Sequence, residues 1–450
     1  MSNLTSGFID LATFDDIEAM LYGGDKAVTY FIRQTKKSSW FTQVPVVLSN
    51  VNGTADFGQN WSVSISRAGD YLLHAWLQVT TPTVTPTAGF NNFWAKNFMH
   101  NLVEECSITF NDLVAHKFDS VQLDFWAAFM VPAGKKSGYD SMIGAGTKTL
   151  HPNGSDKIFL HGVDASRSHT FQLPLPFFFT RESGVALPTA AIPYNDMRIN
   201  FKFRSLSQLL TAYDGNTSQQ VVASPVTYSS SSVSLTGSQV FANYAIVSNE
   251  ERQLMGSTPR DIIIEQNQSA PTSTLKEKVN TSSYDIRFSH AVKALFFALR
   301  QKDLVAGEYV SGPGFEKGAG GDVLSNYAKR SDAGELIGDY TRVSPLEKVS
   351  LLYENTVRLG DMPSSYFTKV APYYHAESIP EEAGMHMYSY SLDARSIDPM
   401  GSTNYGKLTH VSLTTLPSTG GLTGNWDVVV TAVNHNIIRV SGGAVGFPIL

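Results

Sequence analysis

Alternating apolar and polar side chains, the pattern of a half-buried β-strand, recur along most of this chain. The alternation is clearest in residues 197–204 and has no break there. One face of this segment carries four apolar side chains: Met197, Ile199, Phe201 and Phe203. Upstream, the run Phe177–Phe179 is apolar on both faces, which predicts a strand covered on both sides. A connection rich in glycine and proline joins the two segments, as is typical of sandwiches and jelly rolls.

Strand patterns occur in two groups along the chain. The first group includes residues 61–66, 71–79 and 105–110, and the second includes 240–247, 261–265, 285–288, 294–299, 349–353, 388–392, 408–413, 427–433 and 437–440. Apolar residues at helical spacing predict a helix over 118–130. A second short helix is expected over 13–24, capped by Thr13 and ended by two glycines. Residues 131–170 and 303–345 are predicted to be long excursions between strands.

The stretch between the two groups predicts a domain boundary. A chain of 450 residues is too long for one ordinary core. Residues 210–238 are rich in serine and threonine and include the run Ser229–Ser232. We therefore divide the chain into an N-terminal segment with a short helix (1–28), a first β-domain (29–215), a linker (216–238) and a second β-domain (239–450).

Two weak internal matches favour tandem copies of one sandwich. Residues 107–112, SITFND, resemble residues 350–355, SLLYEN. Phe179 lies fifteen residues before Tyr194, and Tyr390 lies fifteen residues before Tyr405. The two matches occur in the same order in each half of the chain.

The amino-acid composition favours some classes of function and argues against others. Charged residues make up only 16% of the chain, which suits a protein that covers much of its surface with copies of itself or with partners. The same value also fits an ordinary serine- and threonine-rich β-protein. The net charge of −6 argues against direct nucleic-acid binding, because phosphate contacts need clustered lysine and arginine. Cys106 is the single cysteine, and its place in a strand pattern predicts a buried thiol rather than a nucleophile.

No catalytic, cofactor-binding or metal-binding residues are predicted. The eleven histidines are scattered and show no metal-binding spacing, and no nucleophile elbow occurs. The strand positions of His290, His410 and His435 favour structural roles. The acidic pairs Glu104-Glu105, Glu250-Glu251 and Glu381-Glu382 are neighbours that point to opposite faces of a strand, so they do not suit glycoside hydrolysis. We therefore do not expect an enzyme.

No targeting or membrane-spanning segment is recognisable. Residues 1–11 lack the basic start and the long apolar core of a signal peptide. No stretch approaches the roughly 18 apolar residues of a membrane helix. We therefore expect synthesis and folding in a reducing cytoplasm.

The chain resembles the major capsid proteins of iridoviruses, within the large icosahedral DNA viruses. The resemblance runs almost from end to end and rests on these segments: 6–13, 22–24, 57–59, 69–71, 100–101, 110–112, 174–179, 186–188, 193–195, 198–199, 287–295, 353–356, 401–406, 432–439 and 446–450. It implies an all-β fold of two tandem eight-stranded antiparallel jelly rolls with long inter-strand loops and a few short helices. It also implies a homotrimer that forms a pseudo-hexagonal capsomer and tiles an icosahedral shell around double-stranded DNA.

The same resemblance implies the location and the partners. The protein is expected in the virion capsid, in contact with its own copies and with minor capsid proteins. Its N-terminal segment is expected near those proteins or the internal viral membrane. Two alternatives stay open at this point: a carbohydrate-binding or glycan-hydrolysing sandwich, and a fibre-type attachment protein.

Overall fold

In the computed structural model, residues 1–40 form one compact unit and residues 41–450 form a second. The structure describes residues 2–33, 35, 37–150, 158–214, 220–222, 228, 233–301, 324–327, 329–330, 342–381, 384–418, 422 and 425–447. Most of the second long excursion expected from the sequence (303–345) lies outside these residues.

The N-terminal unit contains two helices, Ser2–Ala12 and Asp16–Leu21. The second helix begins at Asp16, two residues after Phe14, where a helix capped by Thr13 would begin. Asp15 is the cap instead, because its carboxylate accepts a hydrogen bond from the backbone N–H of Asp16. The sequence patterns described above do not predict the first helix.

The second unit is built mainly of strands. The strands are β1 Phe41–Val47, β2 Ser49–Gly53, β3 Asn60–Ser64, β4 Tyr71–Thr80, β5 Phe90–Trp94, β6 Val103–Phe110, β7 Leu113–Asp119, β8 Thr147–Leu150, β9 Ile158–His161, β10 Thr170–Pro174, β11 Met197–Phe203, β12 Leu210–Asp214, β13 Gln220–Val222, β14 Thr236–Val247, β15 Arg260–Ser269, β16 Ser273–Thr274, β17 Ser282–Asp285, β18 Ala291–Gln301, β19 Lys329–Arg330, β20 Arg342–Val343, β21 Leu346–Tyr353, β22 Thr356–Pro363, β23 Met385–Ser389, β24 Thr403–Asn404, β25 Val411–Pro417, β26 Trp426–Ser441 and β27 Ala444–Gly446.

Short helices lie between the strands. The α-helices are Phe98–Leu102, Ser120–Phe129, Ala133–Ile143, Leu206–Leu209, Asn249–Ser257 and Ala371–His375. A π-helical turn, Tyr366–Val370, leads directly into the last of these, and four 3₁₀ turns occupy Phe178–Thr180, Ser183–Val185, Thr189–Ala191 and Tyr405–Lys407. The predicted helix over 118–130 corresponds to Ser120–Phe129. Part of the expected excursion at 131–170 is ordered as helix Ala133–Ile143 and the hairpin β8–β9.

The first roll is a sandwich of two antiparallel sheets. Sheet 1a has the strand order β1-β14-β4-β10, and sheet 1b has the order β2-β3-β11-β6-β7. Their inner faces share one core, in which Leu77 and Ala242 of sheet 1a and Ile108 and Ile199 of sheet 1b are completely buried.

The second roll repeats this design. Sheet 2a has the order β15-β26-β18-β23 along its main path, and sheet 2b has the order β17-β25-β21-β22. A separate core lies between them and includes Leu295, Phe297, Val349 and Leu413. Strand for strand, the main paths of sheets 2a and 2b match the order in sheets 1a and 1b, apart from the additional strand β2 in sheet 1b. Sheet 2a also carries the short strands β16, β24 and β27 beside its main path. The fold predicted from the sequence, two tandem antiparallel jelly rolls with a few short helices, is confirmed.

The boundary between the rolls differs from the position predicted at 216–238. Strand β14 pairs with β1 along its length, from Phe41 opposite Val247 to Val47 opposite Phe241. It also pairs with β4. Residues 236–247 therefore belong to the first roll, although the sequence division began the second domain at 239. The paired residues of β14 and β1 lie about 200 positions apart in the sequence, and a local pattern does not contain this information.

The segments 197–204 and 177–179, both predicted as strands, differ in the structure. β11 is the predicted half-buried strand, since Met197, Ile199, Phe201 and Phe203 are all buried. The run Phe177–Phe179 is buried as expected, but it is not a strand. β10 ends at Pro174, and a 3₁₀ turn begins at Phe178. Continuous burial here comes from packing of a compact turn rather than from coverage of both faces of a sheet.

Candidate assembly surfaces

The helix Ser120–Phe129 joins the two rolls within the chain. It begins with a reciprocal cap, in which the N–H of Gln122 donates to Asp119 Oδ1 at 2.8 Å and the N–H of Asp119 donates to Gln122 Oε1 at 3.1 Å. One face of the helix presents Val121, Phe125, Ala128 and Phe129. This face lies on the outer surface of sheet 2a, where the rings of Phe125 and Phe129 have centroids 5.8 and 5.3 Å from that of Phe296. Each buried phenylalanine contributes roughly 1.5–3 kcal/mol to this contact.

A buried hydrogen-bond network strengthens the joint. Oδ1 of Asp124 accepts from His100 Nδ1 at 2.7 Å and from Asn97 at 3.1 Å. Oδ2 accepts from the hydroxyls of Ser325 and Tyr327, both at 2.8 Å. Burial acts to raise the pKa of Asp124, but these hydrogen bonds outweigh it and hold the pKa below its usual value. Ser325 and Tyr327 follow β18 in the second roll, so one carboxylate of the first roll anchors a loop of the second.

Near this network, a charged cluster also spans the two rolls. Glu265 of β15 forms ion pairs with Lys293 of β18 and, at 3.1 Å, with Arg181 of the first roll. The guanidinium of Arg181 also lies 4.6 Å from the ring centroid of Trp126. Burial lowers the pKa of Lys293, although the neighbouring Glu265 opposes this effect. Glu265 thus binds two cations at the joint, and Asp393 adds a second negative charge near Lys293.

His116 completes the joint and borders a small cavity of about 40 Å³ next to Arg181 and Glu265. Its side chain is 5% exposed, and neither ring nitrogen has a hydrogen-bond partner in the described structure. Burial, together with the charge of Arg181, lowers the pKa of His116 from 6.5 to about 3. The ring is therefore neutral at physiological pH.

The residues considered for chemistry in the sequence do not form a site within the described part of the chain. No three histidine, cysteine, aspartate or glutamate side chains there are grouped to hold a metal ion. Glu104 pairs with Lys202 and Glu105 with Lys117, so each acidic neighbour has its own partner. Cys106 is completely buried, as predicted, and burial raises the pKa of its thiol well above the usual value. His435 lies in β26, whereas His290 and His410 lie just before β18 and β25 rather than in strands.

Exposed apolar side chains are concentrated in a few elements. In the N-terminal unit, every large apolar side chain from Leu4 to Trp40 that the structure describes is more than half exposed. In the second unit, the edge strands β1 and β22 are exposed along most of their lengths. The helical segment after β22 exposes Tyr373 and Tyr374, each at 69%. Sequence patterns missed these surfaces, because exposure depends on what the fold leaves uncovered.

No helix in the described residues is both long and apolar enough to span a bilayer.

Comparison with known proteins identifies the family. Residues 29–247 match the family model described as major capsid protein N-terminus, and residues 251–446 match the model described as large eukaryotic DNA virus major capsid protein. The chain is 49% identical to the major capsid protein of Costelytra zealandica iridescent virus, over 100% of this chain and 99% of that relative. It is 42% identical to the major capsid protein of Lymphocystis disease virus 1, with 100% and 99% covered.

Solved structures show the same fold at low identity. A quasi-atomic model of the PBCV-1 virus capsid has a TM-score of 0.71 at 18% identity and covers 94% of this chain and 100% of that chain. The Faustovirus major capsid protein also has a TM-score of 0.71, at 11% identity, with 94% and 96% covered. The tandem rolls, the sequence matches and the full-length relatives lead to one conclusion: this chain belongs to the major capsid protein family of large eukaryotic DNA viruses, is similar to its iridovirus members over its whole length, and is a structural capsid protein rather than an enzyme.

Proposed function

We propose that the chain assembles as a homotrimer and that this trimer is the pseudo-hexagonal capsomer that tiles the icosahedral shell. The observation that carries the proposal is the repeated strand order of sheets 1a/1b and 2a/2b. Two similar rolls in each of three chains supply six similar corners, which a hexagonal array requires. Contacts between unlike surfaces of the chains then close into a ring. Covalent linkage of the two rolls reduces the entropy cost of bringing them together.

The mass in solution tests this proposal. We expect size-exclusion chromatography with light scattering to give three times the 49.2 kDa chain mass, and electron microscopy to show hexagonal tiles. A stable monomer, or thin projections instead of tiles, would contradict it.

The N-terminal unit is proposed to contact a minor capsid protein on the inner side of the shell. Residues 1–25 contain five acidic side chains and no lysine or arginine, beside the exposed apolar side chains described above. Anionic lipid surfaces attract basic amphipathic segments, so this charge favours a protein partner with a basic and apolar groove over the internal membrane. The net charge of −6 likewise supports a shell that does not bind the genome directly.

We also propose residues 248–250 as the division between the rolls. β14 is the last strand of the first roll, and β15 is the first strand of the second. The helix Asn249–Ser257 connects them, and the two family models meet at the same point. Assembly in the host cytoplasm, followed by incorporation into the virion, is part of this proposal and is consistent with a single reduced, buried cysteine.

A further inference from the structure

The two rolls differ in how the outer face of their first sheet is covered. In sheet 2a, Thr431, Phe296 and Met387 lie side by side on β26, β18 and β23, and all three are buried. The helix Ser120–Phe129, which follows β7 of the first roll, covers them. In sheet 1a the corresponding row across β14, β4 and β10 is Phe241, Trp76 and Pro174. These three side chains remain only half-buried.

The edge strands show the same difference. Within the chain, β7 of the first roll lies against β15 of the second, and Gln266 of β15 donates a hydrogen bond to the carbonyl of Ala115 at 2.7 Å. By strand order, β22 corresponds to β7 and β1 corresponds to β15. Both β22 and β1 are largely exposed, with Val357 at 61% and Phe41 at 54%. An exposed edge strand with apolar side chains favours association with another chain.

We propose that β22 and the helical segment 366–375 of one copy cover β1 and the outer face of sheet 1a of the next copy, reproducing between chains the contact that joins the two rolls within a chain. The inference rests on the proposed trimer and deepens it by naming both of its faces. The partner is a second copy of this chain, because only a copy carries the element that corresponds to β7 and its helix.

The two faces are complementary in kind. The helical segment 366–375 buries Phe367 and Ala371 against its own roll and exposes Val370, Tyr373 and Tyr374. On the other face, a groove of about 370 Å³ runs along the outside of β4 and β10. Its lining includes His74, Trp76, Trp126, Met142, Gln172 and Pro174. Exposed tyrosines opposite tryptophan and proline are typical of the centre of a protein interface.

Each copy has one of each face, so the contact is between unlike surfaces. Such a contact continues from copy to copy until it closes. Closure with three copies covers every exposed β1 and β22 edge and leaves none at the end of the assembly.

Cross-linking of the full-length protein tests the contact directly. The double variant Gln172→Cys/Tyr374→Cys places one thiol on each face, while the native Cys106 is buried and unreactive. With a short bismaleimide we expect covalent dimers and trimers on a denaturing gel. In the control Gln172→Cys/Leu254→Cys, the second thiol lies outside the proposed contact. Its position is similarly exposed, since Leu254 is 65% exposed and Tyr374 is 69% exposed. The control should stay monomeric on the gel.

Substitution gives an independent measurement. Tyr373→Ser/Tyr374→Ser should weaken self-association by about tenfold or more, because buried tyrosines dominate interface energies. Leu254→Ser should leave it unchanged, and circular dichroism should show that both variants fold. If the wild type is a trimer, but Gln172→Cys/Tyr374→Cys does not cross-link and Tyr373→Ser/Tyr374→Ser self-associates as the wild type does, this contact is wrong and the trimer stands. A monomeric wild type would overturn both.

Discussion

At the scale of single residues, the joint between the rolls depends on side chains whose partners are far away in sequence. Asp124 accepts from His100 in its own roll and from Ser325 and Tyr327, about 200 positions later. A buried carboxylate is tolerated only when such donors surround it. Nothing in the local sequence of Asp124 marks it as different from an exposed acidic residue on a helix.

His116 gives a prediction at this scale. The unfolded chain binds a proton below pH 6.5, whereas the folded state keeps this ring neutral down to about pH 3. His386, with a pKa lowered by burial to about 4, acts in the same direction. The two histidines therefore leave the free energy of unfolding undiminished above pH 6.5. As the pH falls, this free energy decreases, by roughly 2 kcal/mol per histidine at pH 5.

Urea unfolding between pH 7 and pH 4.5 measures this effect. His116→Phe, which keeps an aromatic ring beside Phe118 and Phe177, should reduce the pH dependence by about one bound proton. His410→Phe changes an exposed ring and is the control. If the free energy of unfolding of His116→Phe depends on pH as steeply as that of the wild type, His116 is not a source of the pH dependence.

At the scale of elements, local pattern and structure agree best where a strand is half-buried. β11 follows its alternation without exception, since each alternate side chain faces the core. The first of the two internal matches is also placed consistently by the fold. The segments 107–112 and 350–355 lie in corresponding strands, β6 and β21, and each leads into a tight turn in which the aligned residues Asn111 and Glu354 both have positive φ. Positive φ is uncommon for residues other than glycine, so the same backbone conformation at aligned positions supports the match.

Removal of the Phe296 ring tests how strongly packing of the Ser120–Phe129 helix on sheet 2a stabilises the fold. Phe296 is 4% exposed and contacts both Phe125 and Phe129 of the joining helix. We expect Phe296→Ala to lower the free energy of unfolding by roughly 3–5 kcal/mol, because it leaves a cavity between helix and sheet. Chemical denaturation provides the measurement. Leu254→Ala, at an exposed position, should change the value by less than about 0.5 kcal/mol, and equal effects would contradict a packed joint.

At the scale of the whole molecule, assembly rather than an active site organises the surface. The second unit leaves two edge strands and one sheet face uncovered, and the N-terminal unit leaves its large apolar side chains exposed. Contiguous exposed apolar surface is characteristic of interaction sites. Low charge content, which the sequence already shows, makes such surfaces easier to desolvate on association.

A variant that lacks residues 1–24 distinguishes trimer formation from particle assembly. The deletion removes part of a unit that is compact by itself, so the variant should still form trimers with an unchanged melting temperature. Particle assembly with minor capsid proteins should be strongly reduced, as measured by electron microscopy of the assembled shells. Equal loss of trimers and particles would refute this role. If the segment binds vesicles of anionic lipid and no capsid protein, the membrane is its partner instead.

The sequence by itself determined the fold class, the tandem arrangement, the buried thiol and the family, because alternation, turn residues and ordered motifs are local features that survive in one dimension. Tertiary structure alone decided that β14 belongs to the first roll, that Phe177–Phe179 form a compact turn, and that the Ser120–Phe129 helix covers the second roll. These outcomes depend on hydrogen bonds and contacts between residues distant along the chain. The physical reason is that each of these apolar segments could be buried against several parts of the chain. Only the packing of the whole sandwich selects one of them.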